Sequence, residues 1–275
     1  MFTVFTIEKR EPRGAARFLP FLLRDKLTEE YKEEKRLVVR NLRYISRKKQ
    51  VNWQAVFARA GYDSKSLVCS SEVVFPKNSG LCRFDSTVFY KAMTENFALA
   101  ILKEMENPQK IKIAFFDFDG ERRLFAERLC QLSDNFIIIT REKGKYLNLS
   151  EKMMNELGVS LVITSRIERM NDADFVIAPS RIRKITSFRK KALVLTGERP
   201  CIDISAQCYY KYRTEAPNEY KHLIPDCIDE DYFLSALYSI GRQYNLSNLI
   251  PKVAYNENST CTVKSMAKYL DRLTQ

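Results

Sequence analysis

The sequence predicts an α/β protein: a mostly parallel sheet of about five strands, preceded by a smaller α+β domain. Two observations carry that reading. From residue 110 onward, short continuous apolar runs (KIAFFDF, FIIIT, LVIT, DFVIAP, KALVLTG) alternate with amphipathic stretches. Strands buried on both faces have this near-continuous apolar character, and their alternation with helices is the pattern of a parallel sheet covered on both sides. Before residue 107 the rhythm differs, with more charge and shorter apolar runs. The polar, proline-containing segment ENPQK at 106–110 marks the change, so the expected domains are 1–107 and 108–275.

Taken in order, residues 2–8 alternate and are rich in β-branched and aromatic side chains, as a strand is. Residues 28–49 read as a charged amphipathic helix, with Thr28 as N-cap and its Glu and Lys/Arg side chains at pairing distance along the helix. Residues 51–62 read as a short helix closed by Gly61, and 66–75 as a strand. PKNSG at 76–80 is a turn that predicts a hairpin with the piece after it. Asp85 or Ser86 caps a long helix running to residue 105. The strands then fall at 112–118, 136–140, 161–164, 174–179 and 191–197. Between them come one helix after Gly120 and another over 150–158. ISAQCYYKYR reads as an edge strand. Two further helices start at Asp229 or Glu230 and near Thr262.

Composition excludes several chemistries. Eight glycines in 275 residues leave little for glycine-dependent phosphate loops. The single histidine, His222, rules out sites that need two. None of the seven cysteines forms a C-x-x-C pair, their number is odd, and Cys130 sits in an apolar run. This argues for free thiols in a reducing compartment. The N-terminus lacks a signal peptide's apolar region, and no run reaches the ~18 apolar residues of a membrane span. A cytoplasmic protein without membrane contact is expected.

The net charge is +12, and residues 1–50 carry fourteen basic against seven acidic side chains. A nucleic-acid binder would need the basic segments 1–50 and 181–191 on one face. No recognised nucleic-acid module accompanies the charge, and SRIRKITSFRKK at 180–191 reads as a solvated helix face.

Ligands of an open parallel sheet bind outside the carboxyl ends of its strands, so those ends supply the candidate residues. The first is Asp117-Phe118-Asp119-Gly120. Only one glycine of the dinucleotide fingerprint is present, and Asp119 is the expected N-cap of the next helix. The second end is Thr140-Arg141, suited to a phosphate such as the 2′-phosphate of NADP. The fourth runs from Ala178 through Pro179 to Ser180. Asp119, Gly120, Thr140, Arg141, Ala178 and Ser180 are therefore the candidate binding residues. No catalytic residue can be named.

Two family resemblances follow from these residues. Over 110–197 the strand rhythm, Thr140-Arg141 and the run DADFVIA (Asp172–Ala178) resemble the NAD(P)-binding Rossmann domains of the shikimate dehydrogenase and glutamyl-tRNA reductase group. That resemblance implies a Rossmann-like sheet and an NADP-dependent oxidoreductase. FFDFDG is similar to the first motif of haloacid dehalogenase-like phosphatases. That resemblance implies a Mg²⁺ site with Asp117 as nucleophile and Asp119 as general acid. The acidic pair that family carries on a later strand is missing here. The leading expectation is a Rossmann-like protein that binds a small anionic ligand or a protein partner at the strand ends. The two enzyme readings and the nucleic-acid reading are its alternatives.

Overall fold

The structure is a computed structural model and describes residues 1–9, 25–46, 50–182, 187–201, 204–241 and 245–274. It divides into two compact units: Met1–Ser86 with Ala216–Asn245, and Thr87–Glu215 with Leu246–Gln275. This departs from the expected border at 107/108. The long helix before residue 107 belongs to the second unit, and the helix Glu230–Ser239 belongs to the first. Segment 106–110 ends a helix and does not separate two cores.

The first unit is built on a four-stranded sheet of β1 (Phe2–Lys9), β2 (Lys26–Glu34), β3 (Leu37–Ser46) and β4 (Val68–Cys69), in the order β2–β3–β1–β4. β1 runs parallel to β3 and β4, and β2 antiparallel to β3. The helix expected over 28–49 is thus a hairpin. Leu37, Val39, Leu42, Tyr44 and Ile45 are all buried, and their alternation supplies both faces of a central strand. That burial outweighs the charge pattern of β2. The acids and bases pair between elements instead of along a helix: Glu29 bonds Arg40 of β3 at 2.6 Å and Arg59 at 3.3 Å.

One face of this sheet packs Phe5, Leu42, Tyr44 and Cys69 with Val56 and Ala60 of α1 (Trp53–Ala60). Asn52 caps α1 by accepting from the Ala55 N–H, and Gly61 closes it with φ +58°. The opposite face carries Phe2, whose ring lies 5.4 Å from that of Phe233 on α5 (Glu230–Ser239). Asp229 caps α5, as the sequence predicts. The hairpin expected over 66–85 does not form. Leu67 meets Arg83 in a parallel bridge, because the chain after PKNSG loops round and returns in the same direction.

The second unit is organised by six parallel strands. In chain order they are β5 (Ile113–Phe116), β6 (Phe136–Ile139), β7 (Val162–Thr164), β8 (Phe175–Ala178), β9 (Leu193–Thr196) and β10 (Gln207–Tyr209). Their spatial order is β10–β9–β8–β5–β6–β7, and every pair is parallel. The five predicted strands all form, and ISAQCYYKYR contributes the sixth at the edge. Numbered from β5, the order is 3-2-1-4-5-6, that of a doubly wound Rossmann sheet. Such a sheet changes winding direction between its first and fourth strands, here β5 and β8.

Ala114, Phe116, Ile139, Val176, Ala178 and Val194 fill one side of the sheet together with Met170, Ile182 and Phe188. On the sheet's other side, Phe115 meets Phe125 of α3 (Arg123–Cys130) at 4.9 Å. The 18-residue α2 (Thr87–Glu104) buries residues almost all round, among them Phe89, Met93, Phe97 and Ile101. It packs on β8, β9, α3 and the last helix, α6 (Val263–Leu273). α4 (Leu147–Leu157) ends at Gly158 in the left-handed conformation. A small antiparallel sheet of β11 (Lys211–Arg213), β12 (Val253–Tyr255) and β13 (Thr260–Thr262) completes the unit.

All seven cysteines are free thiols. Among the described residues no helix is long and apolar enough to cross a membrane. The helix expected within 180–191 is absent from its described parts, and residues 183–186 lie outside the described residues, as do 10–24 and 47–49 of the basic N-terminal segment.

Candidate functional site

A crevice of about 380 Å³ opens at the carboxyl ends of β5 and β8, the switch point of the sheet. Its apolar walls are Phe116, Phe118, Ile167, Met170 and Ile182, and its polar groups are Lys91, Asp119, Arg141, Ser180, Arg181 and Glu198. They come from several separate turns and elements of the fold. Phe118 and Asp119 follow β5, and Arg141 follows β6. Ser180 and Arg181 follow β8, Glu198 follows β9, and Lys91 reaches in from α2. Three cations thus face two acids over an apolar floor.

Two of the cations are held in place. The Arg141 guanidinium lies over the Phe118 ring at 4.2 Å, and the Arg141 N–H donates to the Phe118 carbonyl at 3.1 Å. The side chain therefore stacks on the crevice wall with its outer face open. Arg181 donates from Nε to the Arg199 carbonyl at 3.0 Å. The floor depends on Gly197. A Cβ built there would lie 2.3 Å from the Pro179 carbonyl oxygen and 3.2 Å from the Lys91 Cα. Only glycine lets the β8 and β9 ends and α2 approach so closely.

Three of the six residues expected to bind do line the crevice: Asp119, Arg141 and Ser180. The other three do not. Thr140 is 1 % exposed. Its Oγ1 donates to the Phe118 carbonyl and accepts from the Glu142 N–H, so the hydroxyl is used by the turn itself. Ala178 is fully buried in the sheet. Gly120 is buried, with φ +65°, beneath the side chains of Glu142 and Lys145. Glu198 could have been found by reading one strand end further. Lys91 could not, because it stands on a helix that precedes the sheet in the chain.

Beside the crevice lies a buried polar cluster. Asp117 is 2 % exposed. Its Oδ2 accepts from the Tyr146 hydroxyl at 2.5 Å and from the Arg122 N–H at 2.8 Å. Asp119 is thus not the N-cap of α3: the residue before the helix is Arg122, no side chain caps the helix, and the Arg122 N–H is taken by Asp117. Glu95 of α2 sits 3.4 Å from Arg122, yet its Oε1 has no hydrogen-bond partner. Burial pushes the Glu95 carboxyl up to about 7; Arg122 pulls it back only partly, and the Asp117 charge raises it further. Burial and the hydrogen bond to Asp117 also push the Tyr146 hydroxyl well above its ordinary value.

The two aspartates of FFDFDG therefore do different things. Asp117 is enclosed and doubly hydrogen-bonded, while Asp119 is on the crevice lip. A nucleophile must reach its substrate, and Asp117 does not line the crevice. Among the described residues no group of three or more His, Cys, Asp or Glu is placed to hold a metal ion. The residues present do not fit the Mg²⁺ site of the phosphatase resemblance. A larger hollow of about 640 Å³ occurs in the first unit, where Glu8, Glu30 and Asp226 are balanced by Lys32 and Arg43. It has no part in the strand ends of the parallel sheet.

No protein-family model matches the chain, and no curated protein matches it. Among solved structures, L-tryptophan dehydrogenase from Nostoc punctiforme is similar at 9 % identity and a TM-score of 0.31, over 98 % of this chain and 80 % of that one. A likeness of that degree carries no argument about chemistry. The strand order and the alternation of strand and helix establish the architecture: a Rossmann-like α/β unit and a smaller α+β unit in one chain.

Proposed function

We propose that this chain is a Rossmann-like ligand-binding protein whose switch-point crevice takes a small anionic molecule. The observation that carries the reading is the convergence of Lys91, Arg141 and Arg181, from three separate elements, on one apolar-walled crevice. Ligands of parallel sheets bind at this place. Pockets with apolar walls and a few fixed polar groups are where small molecules are held and oriented. Two of the cations are anchored, Arg141 by stacking and Arg181 by a backbone bond, so little side-chain freedom is lost when an anion docks.

The NADP-dependent oxidoreductase reading gains nothing from this geometry. Thr140 faces inward, and Gly120 is covered by neighbouring side chains. The test is titration calorimetry with benzoate against the full chain and the Arg141→Met and Arg181→Met variants. Each charge-assisted contact contributes about 1.5–3 kcal/mol, so each variant is expected to bind at least about tenfold more weakly. Binding that is unchanged in both variants would overturn the proposal.

A further inference from the structure

We infer that Asp117 fills, from within the chain, the anion seat at the start of α3, and so restricts the crevice to single-headed anions with an apolar body, such as aryl carboxylates, and excludes nucleotides. This rests on the crevice being an anion site, and it specifies which anions enter.

In a sheet of this order a nucleotide's diphosphate sits at the amino end of the helix after the first strand, on backbone N–H groups left free there. Here that place is taken. The Arg122 N–H that would meet a phosphate donates at 2.8 Å to the Asp117 carboxylate. The same oxygen takes the Tyr146 hydroxyl. Glu95 brings a second carboxyl group to the cluster, 3.4 Å from the Arg122 side chain. An incoming diphosphate would meet the Asp117 carboxylate in a buried setting, where like-charge repulsion is poorly screened.

The approach is also narrowed by side chains. Close contact between a phosphate and the backbone needs the open face of a glycine. A Cβ built on Gly120 would lie 2.8 Å from Lys145 Cδ and 2.9 Å from Glu142 Cβ, so these two side chains already cover that face. Lys145 is held down by its own bond from Nζ to the Asp119 carbonyl, 2.7 Å. What stays open is the side toward Arg141 and Arg181. Its walls are Phe116, Phe118, Ile167, Met170 and Ile182, which reward an apolar body behind a single charged group. The 380 Å³ volume is at the small end of ligand pockets, roughly 300–1,000 Å³.

The experiment titrates benzoate, acetate and ADP into the full wild-type chain, followed by calorimetry and melting temperature. The same probes are applied to Asp117→Asn and Tyr146→Phe. The wild type is expected to bind benzoate at least about tenfold more tightly than acetate, and to show no response to ADP at the same concentrations. Asp117→Asn keeps the shape but removes the charge. It is expected to retain benzoate binding, which also reports that it is folded, and to gain ADP affinity by roughly tenfold or more. Tyr146→Phe leaves the carboxylate in place and should still refuse ADP.

Wild-type protein that binds ADP as tightly as benzoate would overturn the inference while leaving the anion crevice standing. Acetate binding equal to benzoate would overturn the apolar-body requirement. An Asp117→Asn chain that binds benzoate and still refuses ADP would remove Asp117 from the explanation. A wild type indifferent to all three probes would overturn the crevice itself and this inference with it. The wild-type ranking alone decides the ligand class, so the inference remains testable if Asp117→Asn does not fold.

Discussion

Glu95 is buried on α2 with Arg122 at 3.4 Å and no hydrogen bond to its Oε1. Burial therefore dominates, and its carboxyl holds a proton up to about pH 7 in the folded chain, against an ordinary value of 4.5. Between those two pH values the folded state carries a proton that the unfolded chain has released, so stability falls as pH rises through that window. The contribution is fully present below about pH 4.5 and lost above about 7. It amounts to about 3 kcal/mol, at about 1.4 kcal/mol for each pH step between those two values. We expect Glu95→Gln to match the wild type near pH 4.5 and to be the more stable chain at pH 8. Denaturant melts across that range check it, and a constant difference would disprove the assignment.

At this scale the sequence was half legible. The rule that ligands meet strand ends picked out Asp119, Arg141 and Ser180. Thr140 and Ala178 sit at the same ends but turn inward, and one-dimensional order does not say which way a side chain points. Asp117 was visible as an acid in an acidic turn, but its partners, Tyr146 and the Arg122 N–H, are set by how α3 and α4 dock on the sheet. Glu95 gave no signal, because a lone acid in a long helix reads as solvated.

The β2–β3 hairpin shows what an element can hide. Its turn has no Asn-Gly or Asp-Gly signal. Lys35 takes the left-handed position instead, with φ +54°. Without that turn marker, KLTEEYKEE gave a helical charge pattern, and only the buried alternation of β3 argued against it. A non-glycine residue in that conformation costs about 1–2 kcal/mol, partly offset by the greater freedom glycine has in the unfolded chain. Lys35→Gly should therefore stabilise the first unit by about 0.5 kcal/mol, even though it removes the exposed pair with Glu219, which is worth little. A lower denaturation midpoint for this variant would show that the turn is not strained. The parallel strands were far easier to read. Each is a short apolar block that must be buried on both faces, and no alternative placement satisfies five such blocks.

For the whole molecule, the fold class was legible and the division of the chain was not. The sheet order opens a crevice at the ends of β5 and β8, whereas the strand rhythm pointed only to strand ends in general. The first unit, however, is assembled from two distant stretches, Met1–Ser86 and Ala216–Asn245. Phe233 packs on Phe2, and the Tyr232 hydroxyl donates to the Phe84 carbonyl. Nothing local in residues 216–245 announces that they cover a sheet formed at the N-terminus. A fragment of residues 1–107 therefore lacks one covering layer of its sheet. We expect it to show no cooperative thermal transition by circular dichroism, and a sharp melt would refute this.

The same discontinuity has a consequence during synthesis. The first sheet leaves the ribosome early, but the helix that covers Phe2 follows only after the 143 residues 87–229 have been made. At about 5–20 residues per second, that is a delay of roughly 7–29 s. For that interval one apolar face of the nascent sheet is bare, while the second unit can already begin to fold. The newborn chain's need for chaperones should therefore be concentrated at its N-terminal end.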